Sequence, residues 1–381
     1  MPAGKALDLC HTAAVADNGV RVQGANSYAS LEGADVVIIT AGITKAAGKS
    51  DQEWSRKDLL PVNVKILREV GAAIKQFCPH AFVINITNPL DVMVAALREA
   101  AGLPAARVCG MAGVLDSARF RRLLADRLGV SPRDVQAMVL GVHGDNMVPL
   151  SRFATVNGVP LGELARQGWI SEAEIREVER QTRAAGGDIV RLLGQGSAYF
   201  APGAAAVAMA EAYLKDQKRV FVCSCYLEGP YGVRGHCLGV PCVVGAGGVE
   251  RVIELPLDAR EAQLLQASID EVREMHRQLA AADAAAEPGA AEPSKACDAA
   301  AAAPQPPAAA PADAPAPAAA APDAAPPAPA AGDAPAAAAA DCGCSPDKKE
   351  DCCDGGDKNK SSGKFFHHLK EKLHHHHIKK H

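Results

Sequence analysis

Short apolar runs rich in β-branched residues alternate with stretches of helical spacing over the first third of the chain. Asp35-Val-Val-Ile-Ile-Thr-Ala-Gly is one such run and ends in small residues. Ala81-Phe-Val-Ile-Asn-Ile-Thr-Asn-Pro is another, stopped by Pro89. A strand with one wet face would alternate, so both read as strands buried on two faces. Between them, residues 59–77 place Val62, Ile66, Val70 and Ile74 four apart, one stripe of a helix. Strand, helix, strand predicts a βαβ unit and a parallel sheet. A helix over 90–100 and a strand at Arg107-Val-Cys-Gly continue the series. Gly19-Val-Arg-Val-Gln-Gly predicts one more strand near the start.

The rhythm then changes. Residues 135–142 and Phe153-Ala-Thr-Val-Asn-Gly-Val-Pro read as strands, the latter turning at Asn157-Gly158. Ser171-Glu-Ala-Glu is a capping box and predicts a helix to about 193. Residues 238–245 and 249–255 read as a hairpin. Asp258 caps a last helix whose apolar face is Leu265, Ile269, Val272, Met275 and Leu279. Parallel α/β first, then strands mixed with long helices, predicts a nucleotide-binding half followed by a substrate half.

From about Ala282 the chain becomes Ala/Pro/Asp repeats, which offer nothing larger than alanine for a core and predict a disordered tail. That tail inflates the apolar fraction of 48%. Its Cys342-Gly-Cys, Cys352-Cys and His374–His377 fit no regular zinc spacing, so no metal is expected. A formal net charge of −4 argues against a general nucleic-acid binder. No run of strongly apolar residues is long enough to span a membrane. The first residues carry no basic and apolar secretory pattern. Seven of the twelve cysteines sit in the globular part, mostly inside apolar runs, as buried reduced thiols do. A cytoplasmic location is the expectation.

Four polar features stand out. Asn88 ends a strand, where ligands of open α/β sheets bind, although Asn-Pro is also a common turn former. Asp116 and Arg119 share a helix face at i, i+3, as a solvated salt bridge also would. His143 follows an apolar run and lies between Gly141 and Gly144, a setting equally suited to a hydrogen-bonded turn histidine. Lys45, Trp54 and Arg56 occupy a long polar stretch between strand and helix, which reads as a loop that closes over a site. Together they fit reduction of a 2-keto acid. A histidine titrating near neutrality supplies the proton, and a carboxylate orients it. One arginine holds the substrate carboxylate, and a second polarises the carbonyl once water is excluded.

Thr40-Ala-Gly, Arg56 with Asp58-Leu-Leu, Thr87-Asn-Pro, Asp116-Ser-Ala-Arg119 and His143-Gly-Asp occur in the order of one family. Over residues 1–280 the chain resembles the lactate/malate dehydrogenases, most of all apicomplexan-type lactate dehydrogenases. The resemblance implies His143 as proton donor and acceptor, with Asp116 as its partner. It implies Arg119 as the carboxylate clamp and Arg56 as the loop arginine. Asn88 would touch substrate and nicotinamide. Thr40, Ala41, Gly42, Asn63 and Thr87 would line the path of NAD, and Ser197 and Pro202 the substrate-pocket wall. Where malate enzymes of the family carry an arginine, this chain has Lys45, and Trp54 sits in an extra stretch of the loop. That pattern favours pyruvate and lactate over oxaloacetate and malate. A homo-oligomer, tetramer or dimer, is implied, with neither nucleic acid nor membrane as partner.

One departure matters. The family's Gly-x-Gly-x-x-Gly turn, which seats a pyrophosphate at a helix N-terminus, does not occur. The expected fold is α/β: an N-terminally truncated Rossmann-type parallel sheet, then an α+β substrate domain, then the tail. The expected division is 1–115, a partial dinucleotide-binding domain; 116–281, the catalytic domain; and 282–381. Poor dinucleotide binding and an exposed apolar sheet edge are expected. The alternative to an enzyme is a catalytically impaired oligomer partner or binding protein.

Overall fold

The computed structural model describes residues 2–43, 56–194 and 196–286. Helix α1 (Pro2–Val15) comes first. The strand expected at Gly19–Gly24 is absent; the segment pairs with no strand. It lies instead beside α1, where the Cys10 Sγ meets the Val22 N–H and carbonyl at 3.4 Å. Apolar alternation makes a strand only where another backbone offers a ladder.

Strand β1 (Val36–Ile39), helix α2 (Arg56–Phe77), strand β2 (Phe82–Asn85), helix α3 (Leu90–Ala101) and strand β3 (Val108–Gly110) form the expected βαβαβ unit. β1 pairs with β2, and β2 with β3, all parallel. β2 and β3 are buried along their whole length, which is why they read as unbroken apolar runs. β1 is the sheet edge, and its Ile38 is 39% exposed.

Helix α4 (Ala112–Leu128) leads into the second half. The single strand expected over 135–142 is two: β4 (Val135–Gln136) and β5 (Val139–Leu140). The chain changes partners between them. β5 pairs with β6 (Val148–Pro149), and β4 with the hairpin of β7 (Thr155–Val156) and β8 (Val159–Pro160). Asn157 and Gly158 take φ of 45° and 85°, the left-handed pair that this tight turn requires. Helix α5 (Leu161–Arg166) follows, then α6 (Glu172–Leu193), whose Ser171 and Glu174 form the expected capping box. Next are α7 (Phe200–Leu214), β9 (Arg219–Glu228), β10 (Arg234–Gly245), β11 (Gly248–Val252) and α8 (Ala259–Ala286). Asp258 and Glu261 cap α8 reciprocally, and Leu265, Ile269, Val272 and Met275 are buried as expected.

β9 was not expected as a strand; its apolar run reads from sequence only as a housing for thiols. It is the element that joins the halves. One six-stranded sheet runs β1-β2-β3-β9-β10-β11, with β3 meeting β9 at Gly110 and Ser224. A Cβ on Gly110 would lie 2.4 Å from Leu90 Cδ2 and 2.9 Å from Ser224 Cβ, so the seam closes only around glycine. A single core runs along this sheet, from Val37 to Met275. A smaller one lies under α4, α5 and α6 around Phe120 and Leu161. Among the described residues no helix is long and apolar enough to cross a membrane.

His236 on β10 and His276 on α8 face each other with ring centroids 4.6 Å apart. Burial holds both below the usual imidazole range, and Arg273 adds to the effect at His236. The folded chain therefore binds fewer protons at these rings than the unfolded chain. Their contribution is complete above the unfolded value, about 6.5, and is lost as pH falls below it. Thermal melts are expected to show a lower Tm at pH 5.5 than at 7.5. His276→Gln should flatten that dependence; an unchanged slope would contradict this account.

Candidate active site

The site begins where the parallel strands end. Beyond β1 come Thr40, Ala41 and Gly42, and beyond β2 come Thr87 and Asn88. A knot of polar contacts ties the two ends. Thr87 Oγ1 donates to the Ala41 carbonyl at 2.6 Å, and Asn85 holds Thr87 from below. Asn63, fully buried on α2, accepts from the Ile43 N–H at 2.8 Å and donates to the Asn88 carbonyl at 2.7 Å. A Cβ on Gly42 would stand 2.5 Å from Thr87 Cγ2, so the backbone lies flush against the knot. Thr40, Ala41, Gly42 and Asn88 face outward. Asn63 and Thr87 are buried and hydrogen-bonded to these strand ends.

His143 is held from several sides. Upstream, Gly141 forms a two-bond bridge with Gly239 of β10, at 2.8 and 3.1 Å. Gly141 takes φ of 90°, and a Cβ there would lie 2.4 Å from Ser268 Oγ. Ser268, on α8, accepts the Val142 N–H at 2.5 Å. The His143 N–H donates to Asp91 Oδ2 at 2.9 Å. Its ring Nδ1 lies 2.7 Å from Asp116 Oδ2. Downstream, Asn146 donates to Glu271, and Arg183 to the Met147 carbonyl.

Asp116 and Arg119 lie on one face of α4, as their spacing predicts. Arg119 Nη1 donates to Asp116 Oδ1 at 2.9 Å, so the carboxylate bridges the guanidinium and the imidazole. The Asp116 side chain is 3% exposed, that of Arg119 13% and that of His143 21%. Burial in this order strengthens the bridge and leaves the imidazole nearest solvent. α6 passes close by: a Cβ on Gly186 would stand 3.7 Å from Arg119 Nη1.

The remaining expected residues divide. Ser197 is exposed just before α7, and Pro202 is buried in its first turn, on a helix that packs against α4. Arg56 starts α2. Lys45, Trp54 and the tail lie outside the described residues. Three side chains of the site were missed from sequence: Asp91, Ser224 and Ser268. Each was detectable as a lone polar residue on an otherwise apolar face, in Leu-Asp-Val-Met-Val, Val-Cys-Ser-Cys and Leu-Gln-Ala-Ser-Ile. A cavity of about 420 Å³ lies elsewhere, beside the starts of α6 and α8. It holds none of the expected site residues, and its Arg152 and Arg260 are paired with Glu261 and Glu179.

Parallel strand ends beside a histidine, carboxylate and arginine in hydrogen-bonded series define the class: a nicotinamide-linked hydroxy-acid dehydrogenase. Residues 1–110 match the NAD-binding domain of lactate/malate dehydrogenase, and 113–282 its alpha/beta C-terminal domain. The chain belongs to the lactate/malate dehydrogenase family, NAD-dependent oxidoreductases of small hydroxy and keto acids. It is 50% identical over 273 residues to the malate dehydrogenase of Roseobacter denitrificans, covering 72% of this chain and 84% of that one. Its fold is similar to that of the Eimeria maxima lactate dehydrogenase solved with NADH and oxamate, with TM-score 0.73 and 62% identity over 76% of this chain and 86% of that one. The malate dehydrogenase of Cryptosporidium parvum is similar at TM-score 0.71 and 47% identity, over 74% and 88%.

Proposed function

We propose that the chain interconverts L-lactate and pyruvate. The observation that carries the chemistry is the Asp116 bridge from Arg119 to His143 Nδ1. With Nδ1 engaged, Nε2 is the ring nitrogen assigned to proton exchange with the substrate oxygen. Asp116 stabilises the imidazolium when His143 holds the proton. Arg119 takes the substrate carboxylate through a two-pronged contact, Asn88 touches the substrate from the strand end, and Arg56 polarises its carbonyl. Ser197 and Pro202 wall the pocket. When bound, NAD supplies or accepts the hydride. Thr40, Ala41, Gly42, Asn63, Thr87 and Asn88 would hold its nicotinamide end at the strand termini. The work divides near 115/116, with the cofactor side before it and the proton-transfer side from there to about 281.

Lys45 and Trp54 support pyruvate over oxaloacetate. An indole facing the substrate would accept a methyl group and penalise an unpaired carboxylate. The test is kcat/KM for both keto acids with NADH, alongside calorimetry of NADH binding. A higher value for pyruvate is expected. A higher value for oxaloacetate would make the chain a malate enzyme, and absence of NADH binding would favour a non-catalytic partner.

The chain is also assigned to a homo-oligomer. Val190, Leu192 and Leu193 near the end of α6, and Tyr199, Phe200 and Val207 at the start and on the body of α7, are exposed apolar side chains of the kind an interface covers. Sedimentation should give a dimer or larger; a monomer at micromolar concentration would remove the assignment. A reducing, cytoplasmic compartment is the reading for the described cysteines, most of which are buried in apolar surroundings.

A further inference from the structure

Asp91 lies in the first turn of α3, three residues after Asn88, and is 1% exposed. Its two oxygens are used in two directions. Oδ2 accepts the His143 N–H at 2.9 Å, and Oδ1 accepts the Ser224 hydroxyl at 2.6 Å. Ser224 sits on β9 opposite Gly110, at the seam of the sheet. One buried carboxylate thus joins the strand end that carries Asn88, the loop that carries His143, and the sheet itself. Burial pushes its acidity down, while the two hydrogen bonds and the nearby imidazole act the other way. A carboxyl group kept in so dry a place needs partners that compensate its burial, and these partners belong to the site. The charged or titratable neighbours of the pair are Asp116 and Arg119 on α4 and Cys237 on β10.

The geometry points to Asp91 as the positioning residue of His143. It clamps the main chain of the histidine and fixes its distance from the Asn88 strand end, while Asp116 orients the ring. Asp116 alone leaves the imidazole free to move with its own backbone. Asp91 removes that freedom by tying the backbone to the same helix start that follows Asn88. The assignment rests on the reading of His143 as the proton-transferring group.

The test uses the full chain with labelled histidine, in three variants. Asp91→Ala is expected to lower kcat about 10- to 100-fold with KM changed by less than about threefold, because misplacement of a reacting group acts on the chemical step. It should also displace the His143 ring resonances and their titration. Asp91→Asn keeps both links, since its carbonyl accepts the His143 N–H and its amide donates to Ser224 Oγ. It should restore kcat to within about fivefold of native. Should Asp91→Ala not fold, Ser224→Ala removes one link only and is expected to give an intermediate loss with the same resonance shift. Native kcat and unmoved His143 resonances in a folded Asp91→Ala or Ser224→Ala chain would overturn the assignment. An Asp91→Asn chain as impaired as the alanine variant would also overturn it. Failure of the reading beneath it looks different: His143→Gln would then keep native turnover, while Asp91→Ala in the otherwise native chain would still displace the His143 resonances.

Discussion

His143→Gln is expected to lower kcat by roughly 10²- to 10⁴-fold and leave KM for the keto acid within a few-fold of native. Glutamine fills similar space and still offers a donor to Asp116 Oδ2, so the α4 face and the fold should survive. What it lacks is a proton that leaves and returns near neutral pH. The loss should therefore fall on turnover and not on binding. The same change should abolish the pH dependence that a titrating imidazole imposes on kcat/KM. Steady-state kinetics over pH 5.5–9 is the measurement. A variant with native turnover would remove proton transfer from this residue, whatever its hydrogen bonds.

Arg119→Gln carries the second large effect, of another kind. Arg119 has two tasks: it neutralises one oxygen of a nearly buried Asp116 and is assigned the substrate carboxylate. Removing one partner of a buried, hydrogen-bonded charge pair costs about 2–5 kcal/mol. The expected result is a fall in kcat/KM of roughly 30- to 4,000-fold, most of it in KM. Arg119→Lys separates the two tasks. It keeps a charge for Asp116 but loses the planar two-pronged contact, so it should retain the thermal stability and still bind keto acid poorly. A lysine variant with native KM would mean that the guanidinium serves Asp116 alone.

The parallel half was legible because its strands are buried on both faces and its helices on one, and these two patterns differ in period. The capping boxes at Ser171 and Asp258 were legible because they are local, each needing four consecutive residues. The errors concern pairing. Gly19–Gly24 has the composition of a strand but no ladder beside it, and residues 135–142 form two short strands because the chain exchanges partners midway. Neither outcome is contained in the segment itself. At the site, Asp116 and Arg119 were readable as one helix face, and His143 as a polar residue between glycines. Their union was readable only through a family pattern, since 27 residues separate His143 from Asp116. Asp91 and Ser224, 133 residues apart, meet only because β9 crosses back to β3. A lone buried polar residue signals a partner without saying where the partner lies.

The seam at Gly110 and Ser224 has a mechanical consequence. Two-domain enzymes often close by swinging one half about a hinge, with the hinge drawn from loose connecting chain. Here the halves share a continuous hydrogen-bonded plate, and the crossing point is packed too tightly to admit a methyl group. Swinging would shear the plate at its narrowest point. A swing of one half on the other would therefore have to break the Gly110–Ser224 pairing, so this seam ties the two halves into one frame.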